Sequence, residues 1–265
     1  MMKEKTVESV AEMLECLNNL PNHFVYRGHA NADWKLESSL ERVIGRAWTG
    51  ANANKFEEFS LAEFQSKFHL YDHENIQPAS KLAWLSIMQH YGVPTRLLDF
   101  TASPYVALYF ALEAYNPQLH WDFAVYAFDY AAILEKSIQY IATKDAAFKE
   151  TRRTIYQKQD EIFDSIVDRF SYDIAWVAEP RLLNARLDRQ AGSFLLSGNR
   201  ELRIEAVLAS AIYGEVEMTK YRMPSALYEG IFALLRKMNI TSKSLYGDLD
   251  GLARSIRMSM QVYSV

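Results

Sequence analysis

Seven polar side chains interrupt an otherwise apolar stretch between residues 84 and 111 of this 265-residue chain. They are Gln89, His90, Thr95, Arg96, Asp99, Thr101 and Ser103. A polar group that is buried without a partner costs about 1–3 kcal/mol. The cluster therefore needs either a ligand or partners within the protein, and its residue types predict a site.

Three short elements must hold this polar cluster. The apolar run that begins at Trp84 is helix-like and stops at Gly92, a favoured residue just past a helix end. Pro94 then fixes an extended turn, and residues 96–100 predict a short buried strand. Ser103 and Pro104 form the N-cap and first-turn pair of the next helix. The pattern predicts a site at a strand–turn–helix junction.

Two further segments bring polar side chains to strand ends. Residues 23–28 are rich in β-forming side chains and end at Arg27 and Gly28. A guanidinium at a strand end suits a phosphate or a carboxylate ligand, and a structural pair with a carboxylate is the alternative. Residues 189–196 give a polar entry into another strand, where Gln190 precedes Gly192, a residue that permits close backbone approach.

Some residues of the central cluster have a structural alternative. His90 either caps the carbonyls at the helix end or acts as a general base. Arg96 and Asp99 either belong to a site or form one internal ion pair that rigidifies the turn. The six histidines are scattered without ligand spacing, so no metal site is predicted. No Gly-rich phosphate loop is present, which argues against a P-loop or Rossmann site.

The rest of the chain predicts a single α+β domain over residues 1–265, with small mixed or antiparallel sheets flanked by helices. The pattern of residues 131–170 predicts a polar helical segment. This segment is either a solvated face or an insertion that shapes a partner surface. Phe56, Phe59, Phe64 and Phe68 predict a helix with an aromatic core-facing stripe. Helices are predicted at residues 6–20, 103–115, 226–238 and 248–258, a basic helical turn at 181–189, and strands at 123–128, 174–177 and 201–223.

Composition narrows the class of protein. The chain is 49% hydrophobic and 23% charged, as expected for a globular protein with a sizeable core. A net charge of −4 and a pI near 5.9 argue against a broad nucleic-acid surface, but not against a local basic pocket. Cys16 is the only cysteine, which excludes a disulfide framework and fits a cytoplasmic setting. Neither a signal peptide nor a membrane span is predicted.

Three blocks of the sequence resemble the FRG domain, a family named for a Phe-Arg-Gly motif. The motif stands here as Tyr26-Arg27-Gly28. The second block is QHYGVPTRLLDFT at residues 89–101, which continues into Ser103-Pro104 and ALYFA at 107–111, and the third is RQAGSF at 189–194. The ending SLYGDLDGL at 244–252 is of the same kind, so the resemblance extends over nearly the whole chain.

The order of these motifs is also similar to that of ADP-ribosyltransferases. In those enzymes an Arg or His at the end of an early strand binds NAD. The similarity implies that Arg27 contacts the phosphate or the nicotinamide ribose. Asp99, Thr101 and Ser103 would line the nicotinamide side, and Tyr109 would stack near the ring. The implied NAD-binding set is completed by Tyr26, Gly28, His90, Thr95 and Arg96.

The third motif departs from the enzyme pattern, because Gln190-Ala191-Gly192 stands where such enzymes often carry a catalytic glutamate. A carboxylate there stabilises the oxocarbenium-like charge that develops as nicotinamide leaves. Arg27, Asp99 and Gln190 are the predicted catalytic residues. Asp99 is the best substitute for the missing carboxylate, and Glu179 is a weaker one.

Three functions follow as hypotheses. The first is an ADP-ribosyltransferase or an enzyme that cleaves NAD, acting as a bacterial toxin or defence effector with a protein or nucleic-acid acceptor and a neutralising partner. The second is a nucleotide-binding sensor without turnover, in keeping with the absent glutamate. The third is an enzyme that hydrolyses nucleic acid with His90 as the general base near Arg96.

Overall fold

A seven-stranded sheet forms the centre of the protein. The structure is a computed structural model that describes residues 2–71, 77–169, 172–179 and 189–263. The strands lie in the order β1-β7-β4-β2-β3-β6-β5, and all neighbours are antiparallel except the parallel pair of β1 and β7. The strands are β1 (Lys3–Thr6), β2 (Phe24–His29), β3 (Leu98–Thr101), β4 (Phe123–Asp129), β5 (Ala175–Ala178), β6 (Gly192–Ser197) and β7 (Met218–Met223).

Helices cover both faces of this sheet, and the predicted α+β class is confirmed. The described residues contain twelve α-helices: α1 (Val10–Asn18), α2 (Ser39–Ile44), α3 (Gly50–Phe68), α4 (Lys81–His90), α5 (Pro104–Glu113), α6 (Tyr130–Lys144), α7 (Arg152–Gln157), α8 (Gln159–Ser165), α9 (Ile204–Leu208), α10 (Tyr228–Lys237), α11 (Ser242–Tyr246) and α12 (Leu249–Tyr263).

Alternation along β2 and β4 assigns side chains to the two faces. Tyr26 and Val125 pack with α1, α5 and α10 in one core cluster. Their neighbours Val25 and Tyr126 point to the opposite face, where they pack with residues of α6 and α9. A third cluster joins β5 and β6 to α3, α4, α6 and α8. This arrangement follows from the two-residue period of a strand, since both faces of the central strands are buried.

The helix boundaries around the central stretch agree with the sequence signals. The Ser80 hydroxyl caps α4 by accepting from the Ala83 amide, and Ser103 caps α5 by accepting from the Val106 amide. Gly92 has φ +80°, and it follows the end of α4 as predicted. The strand between these helices begins at Leu98 rather than at residue 96.

Several expectations from the sequence are corrected. The helix predicted at residues 6–20 spans only Val10–Asn18, because Thr6 is the last residue of edge strand β1, and part of the predicted strand region at 201–223 is helix α9. The aromatic stripe of α3 is divided, because Phe64 and Phe68 pack against Trp84 while Phe59 is 65% exposed. The basic turn predicted at residues 181–189 lies, apart from its last residue, outside the described residues.

The segment from residue 131 to 170 is mostly helical where it is described, as predicted, with a non-helical connection at residues 145–151. Its helices α6, α7 and α8 are not polar on all sides, since Ile138, Ile155 and Phe163 are buried in the core cluster that contains Trp176 of β5. One face of the segment is therefore part of the main core. Its interpretation as an insertion stays a prediction.

The sheet separates at its middle. Strand β2 pairs with β4 over six residues, but with β3 at the single position where Tyr26 lies opposite Thr101. Beyond that pair, the Arg27 side chain donates from Nη1 to the Asp99 carbonyl oxygen at 2.7 Å. A side chain thus takes the place of a ladder hydrogen bond where the two strands diverge.

Candidate functional site

A pocket of about 260 Å³ lies beside the separated strands β2 and β3. Strand β6 and helices α4, α5 and α11 complete its walls. Seven residues predicted from the sequence line it: Tyr26, Arg27, Gly28, His90, Asp99, Thr101 and Gln190. Residues that are far apart in the sequence therefore meet at one place, although Arg27 is the fourth of the six residues of β2 and does not stand at its end as predicted.

Arg27 is the only cation among the described residues that line this pocket. Its side chain is 17% exposed. Its Nε donates to His29 Nε2 at 3.2 Å, and its Nη1 donates to the Asp99 carbonyl oxygen. No partner for Nη2 is found among the described residues. These contacts orient the planar group and leave donor capacity for an acceptor in the pocket.

The positive charge of Arg27 is only weakly compensated. The nearest carboxylate oxygen among the described residues, Asp99 Oδ2, lies 3.9 Å from Nη1, and the Asp99 side chain is 55% exposed. Burial lowers the pKa of the Arg27 guanidinium from its usual value, and Asp99 opposes that effect only in part. A bound anion would relieve the cost of burying this charge.

His29 holds Arg27 from the side away from the pocket. Its imidazole is 6% exposed and packs edge-on against Tyr126 with a centroid distance of 4.9 Å. Burial and the neighbouring Arg27 charge lower the pKa of His29 to about 3. The ring is therefore neutral at physiological pH and its Nε2 lone pair accepts from Arg27.

A chain of hydrogen bonds positions the Asp99 carboxylate. Gln89 Nε2 donates to Asp99 Oδ2 at 2.8 Å, and the Thr95 hydroxyl donates to Gln89 Oε1 at 2.6 Å. The Ser39 hydroxyl accepts from the Thr95 amide at 2.9 Å. Thr95 is completely buried and does not line the pocket, so its contribution is to fix Gln89.

Gln190 is fixed through its backbone. The Thr101 hydroxyl donates to the Gln190 carbonyl oxygen at 2.6 Å, and the Ala102 amide donates to the Ala191 carbonyl oxygen at 3.0 Å. Ala191 adopts φ +45°, which is unfavourable for a residue with a Cβ. The turn before β6 is therefore held against the end of β3 at two points, with the Gln190 side chain in the pocket wall.

Aromatic side chains form much of the remaining wall: Tyr26, Phe100, Phe110, Phe194 and Tyr246. Burial raises the pKa of the Tyr26 phenol to about 12, so its hydroxyl is neutral. The Tyr246 hydroxyl donates to Glu113 Oε2 at 2.7 Å, which fixes that ring from behind. Faces of aromatic rings suit a planar ligand that stacks.

Arg96 lies outside this pocket, in contrast to the prediction. Its Nε is 3.1 Å from Glu57 Oε2, its Nη2 pairs with Asp168, and its guanidinium lies over the Phe163 ring at 5.1 Å. The suggested internal pair of Arg96 with Asp99 is replaced by these contacts. Arg96 is thus part of a buried ion network at the other end of the strand.

Two more predicted site residues are absent from the pocket wall. Tyr109 is 2% exposed, and its hydroxyl contacts Glu113 and Ser242 instead of the pocket. Ser103 is used as the N-cap of α5. Glu179, the weaker candidate for a catalytic carboxylate, lines a different cavity beside Arg152 and Tyr156.

Gly28 serves close packing. A Cβ at this position would lie 2.0 Å from the Ala107 carbonyl oxygen and 2.6 Å from the Ala111 amide nitrogen. Helix α5 therefore contacts the backbone of β2 directly. The Arg-Gly pair of the motif combines a pocket cation with the residue that lets the neighbouring helix approach.

Gln89 was named from the sequence only as a member of the polar cluster, and six further lining residues were given no site role: Ser86, Phe100, Phe110, Gly192, Phe194 and Tyr246. A signal for Phe110 was present, because it follows Ala107 by three residues and so lies on the helix face that contacts β2. Tyr246 lies in the SLYGDLDGL block, but nothing in that block pointed to the pocket, which Tyr246 reaches from a distant part of the chain.

The described residues contain no cluster of three or more His, Cys, Asp or Glu side chains that would hold a metal ion. None of the described helices has the length and apolar character needed to cross a membrane.

The comparisons with known proteins bear on the segment that carries Arg27 and Asp99. Residues 22–119 match the family model of the FRG domain. The match supports the resemblance to the FRG family over less than half of the chain, from β2 to just beyond α5. The RQAGSF block and the ending at residues 244–252 lie outside it. Neither a curated protein nor a solved structure matches the chain.

Proposed function

We propose that this protein binds a nucleotide in the Arg27 pocket and cleaves the N-glycosidic bond of NAD, as an ADP-ribosyltransferase or an NAD glycohydrolase. The observation that carries the proposal is a buried, weakly compensated guanidinium in an aromatic pocket that also contains one carboxylate. The guanidinium suits a phosphate, and the aromatic rings suit a base. The ligand is a substrate here and not a resident cofactor.

The volume of the pocket limits the size of the ligand that it can hold. About 260 Å³ is slightly below the range of roughly 300–1,000 Å³ that is usual for sites of drug-sized ligands. One mononucleotide half of NAD would occupy it, with the other half extending outward. We assign the nicotinamide half to the pocket, because that half carries the bond that is cleaved.

Asp99 would supply the negative charge in the reaction. The bond between the ribose C1′ and the pyridinium nitrogen breaks, and nicotinamide leaves with the bonding electron pair. Positive charge then develops on the ribose, and the Asp99 carboxylate stabilises it. A water oxygen, or the nucleophile of an acceptor, forms the new bond to C1′ and loses one proton. Gln89 would hold the carboxylate in position.

Incubation of the purified protein with NAD, followed by measurement of free nicotinamide, tests the proposal. We expect release by the wild type, and a decrease of about 100-fold or more in Asp99→Asn with little change in the affinity for NAD. Arg27→Lys keeps the charge but loses the fork of donors, so it should bind NAD more weakly. Full release by Asp99→Asn would refute the assigned carboxylate.

The Arg27 variant requires a check of folding. Arg27 donates to the backbone of β3, so Arg27→Ala removes a contact that joins two strands as well as a ligand contact. Arg27→Lys with circular dichroism separates the two effects. A well-folded Arg27→Lys protein with unchanged affinity for NAD would contradict the role of Arg27 as the phosphate contact.

A nucleotide sensor without turnover is the second candidate. It is favoured by the state of Asp99, whose Oδ2 accepts from Gln89 and whose side chain is largely exposed. A carboxylate in that state is a weaker stabiliser of developing charge than a buried one. NAD binding by the wild type without nicotinamide release would support the sensor and exclude cleavage.

The nucleic-acid hypothesis has less support. It paired His90 as a general base with Arg96, and Arg96 is bound to Glu57 and Asp168 away from the pocket. His90 itself lines the pocket and packs against Tyr91 at a centroid distance of 4.8 Å. No specific observation favours this function over the two above.

A further inference from the structure

Gln190, in the wall of the Arg27 pocket, contains a buried polar atom that forms no hydrogen bond with the described part of the chain. Gln190 is 9% exposed, and its buried Nε2 has no hydrogen-bond partner among the described residues. Among the described residues, it alone combines a buried unpartnered polar side-chain atom with a place in the wall of the Arg27 pocket. A buried amide that lacks a partner is costly, so its retention needs a reason.

The surroundings keep this side chain in the pocket wall. The Gln190 backbone is fixed by the Thr101 hydroxyl, and the next residue, Ala191, has the unfavourable φ of +45°. Backbone strain of this kind persists where neighbouring contacts determine the conformation. The turn holds Gln190 in one place although its Nε2 forms no hydrogen bond with any described residue.

A primary amide presents a donor and an acceptor side by side. Such an edge is matched by another amide edge, and glutamine pairs in this way with N6 and N7 of adenine. Phe110, Phe194 and Tyr246 line the same pocket, so a planar ring there would have aromatic surfaces to pack against. A carboxylate in place of the amide edge would set a second acceptor against the Gln190 oxygen, with no donor between them.

We infer that Gln190 determines specificity in this pocket by pairing with the amide edge of a planar heteroaromatic ring, as in a pyridine carboxamide or the N6–N7 edge of adenine. The inference rests on the proposed nucleotide site. It goes beyond that proposal in naming the group that is read and the residue that reads it. Arg27 contacts the phosphate of the same ligand, and Gln190 distinguishes the ring.

Two matched pairs of mononucleotides test the inference by calorimetry on the full chain. Nicotinamide mononucleotide is compared with nicotinic acid mononucleotide, and AMP with IMP, while ribose 5-phosphate is the probe without a ring. We expect the wild type to prefer the first member of at least one pair by about tenfold or more, since a mismatched partner leaves a buried polar group unpaired. The pair that shows the preference identifies the ring.

Gln190→Met removes the amide at similar volume. This variant should bind both members of the pair within about twofold of each other and should keep the wild-type affinity for ribose 5-phosphate. Its melting temperature should not fall, because the lost amide nitrogen has no hydrogen-bond partner in the part of the chain that the structure describes. The control is Gln139→Met, which replaces an exposed glutamine of α6 and should retain the wild-type preference.

The outcomes separate this inference from the proposed function. A preference that persists in Gln190→Met, or that is absent in the wild type, overturns the role of Gln190 even if the wild type releases nicotinamide from NAD. A lower melting temperature of Gln190→Met with an unchanged preference assigns it a structural role instead. If the wild type binds none of the mononucleotides and releases no nicotinamide, both proposals fail.

Discussion

Two arginines illustrate how surroundings decide what one residue type does. Arg27 and Arg96 both lie in segments with motif resemblance, and both are largely buried. Arg96 is within ion-pair distance of Glu57 and Asp168, so its charge is used for structure. Among the described residues, Arg27 has only the distant and half-exposed Asp99 as a carboxylate partner. Because carboxylates balance the charge of Arg27 less well than that of Arg96, Arg27 is the candidate for binding an anion.

His29 allows a prediction on pH at the same scale. Its pKa falls from 6.5 in the unfolded chain to about 3 in the fold, so between these values the unfolded state binds the extra proton. The contribution of His29 to the free energy of unfolding is therefore fully present above pH 6.5, and it is lost as the pH falls towards 3. We expect a loss of about 1.4 kcal/mol per pH unit in that window.

Urea unfolding of the wild type and of His29→Gln at pH 7, 6, 5 and 4 measures this effect. The variant keeps an acceptor for Arg27 but does not titrate. The difference in the free energy of unfolding between the two proteins should shift by about 3 kcal/mol in favour of the variant between pH 6.5 and pH 4. A difference that is constant over pH would contradict the neutral, buried state of His29.

At the scale of elements, the pocket depends on the contact between β2 and α5. Helix α5 begins at the Ser103 cap and crosses β2 at Gly28, where the two backbones touch. This contact places Phe110 in the pocket wall and turns Tyr109 into the core. The rotation of helix α5 about its axis thus determines that Phe110 faces the pocket and that Tyr109 faces the core.

Gly28→Ala tests that contact. The new Cβ would meet backbone atoms of Ala107 and Ala111, which cannot move without shifting the helix. We expect a loss of about 2–4 kcal/mol in the free energy of unfolding.

The control is Gly214→Ala, where the new Cβ would lie at an ordinary 3.5 Å from the Ala211 carbonyl oxygen. It should change stability by about 0.5 kcal/mol or less. Similar losses in the two variants would show that Gly28 is not a site of close approach.

At the scale of the whole molecule, a buried ion network joins elements that are distant in sequence. Glu57 of α3 is 2% exposed and lies within 3.1–3.4 Å of cationic groups of Lys81, Arg96 and Arg200. These residues belong to the start of α4, the approach to β3 and the chain after β6. The network therefore fixes α3 and α4 against the strands that carry the pocket.

Glu57→Gln should destabilise the protein by about 3 kcal/mol or more, because it leaves buried cations with less compensation. The matched control on the same helix is Glu63→Gln, which breaks an exposed pair with Lys67 and should cost no more than about 0.5 kcal/mol. Chemical denaturation of both variants measures the difference. An equally small loss in Glu57→Gln would show that the network is not important for stability.

The sequence by itself determined the local elements around the site and most of its polar residues. The Ser103-Pro104 start and the Gly92 stop are local signals, since caps and left-handed positions depend on neighbouring residues only. Arg27, Asp99 and Gln190 were predicted as catalytic residues from the motif resemblance, and they do share one pocket.

The tertiary structure alone decided what depends on partners far along the chain. The sequence did not reveal that Arg96 pairs with Glu57 and Asp168, or that Tyr246 reaches the pocket. Strand β1 was missed because all of its side chains are exposed, so only its pairing with β7 makes it a strand. Such outcomes depend on which surfaces meet when the sheet and its helices assemble, and local patterns do not contain that information.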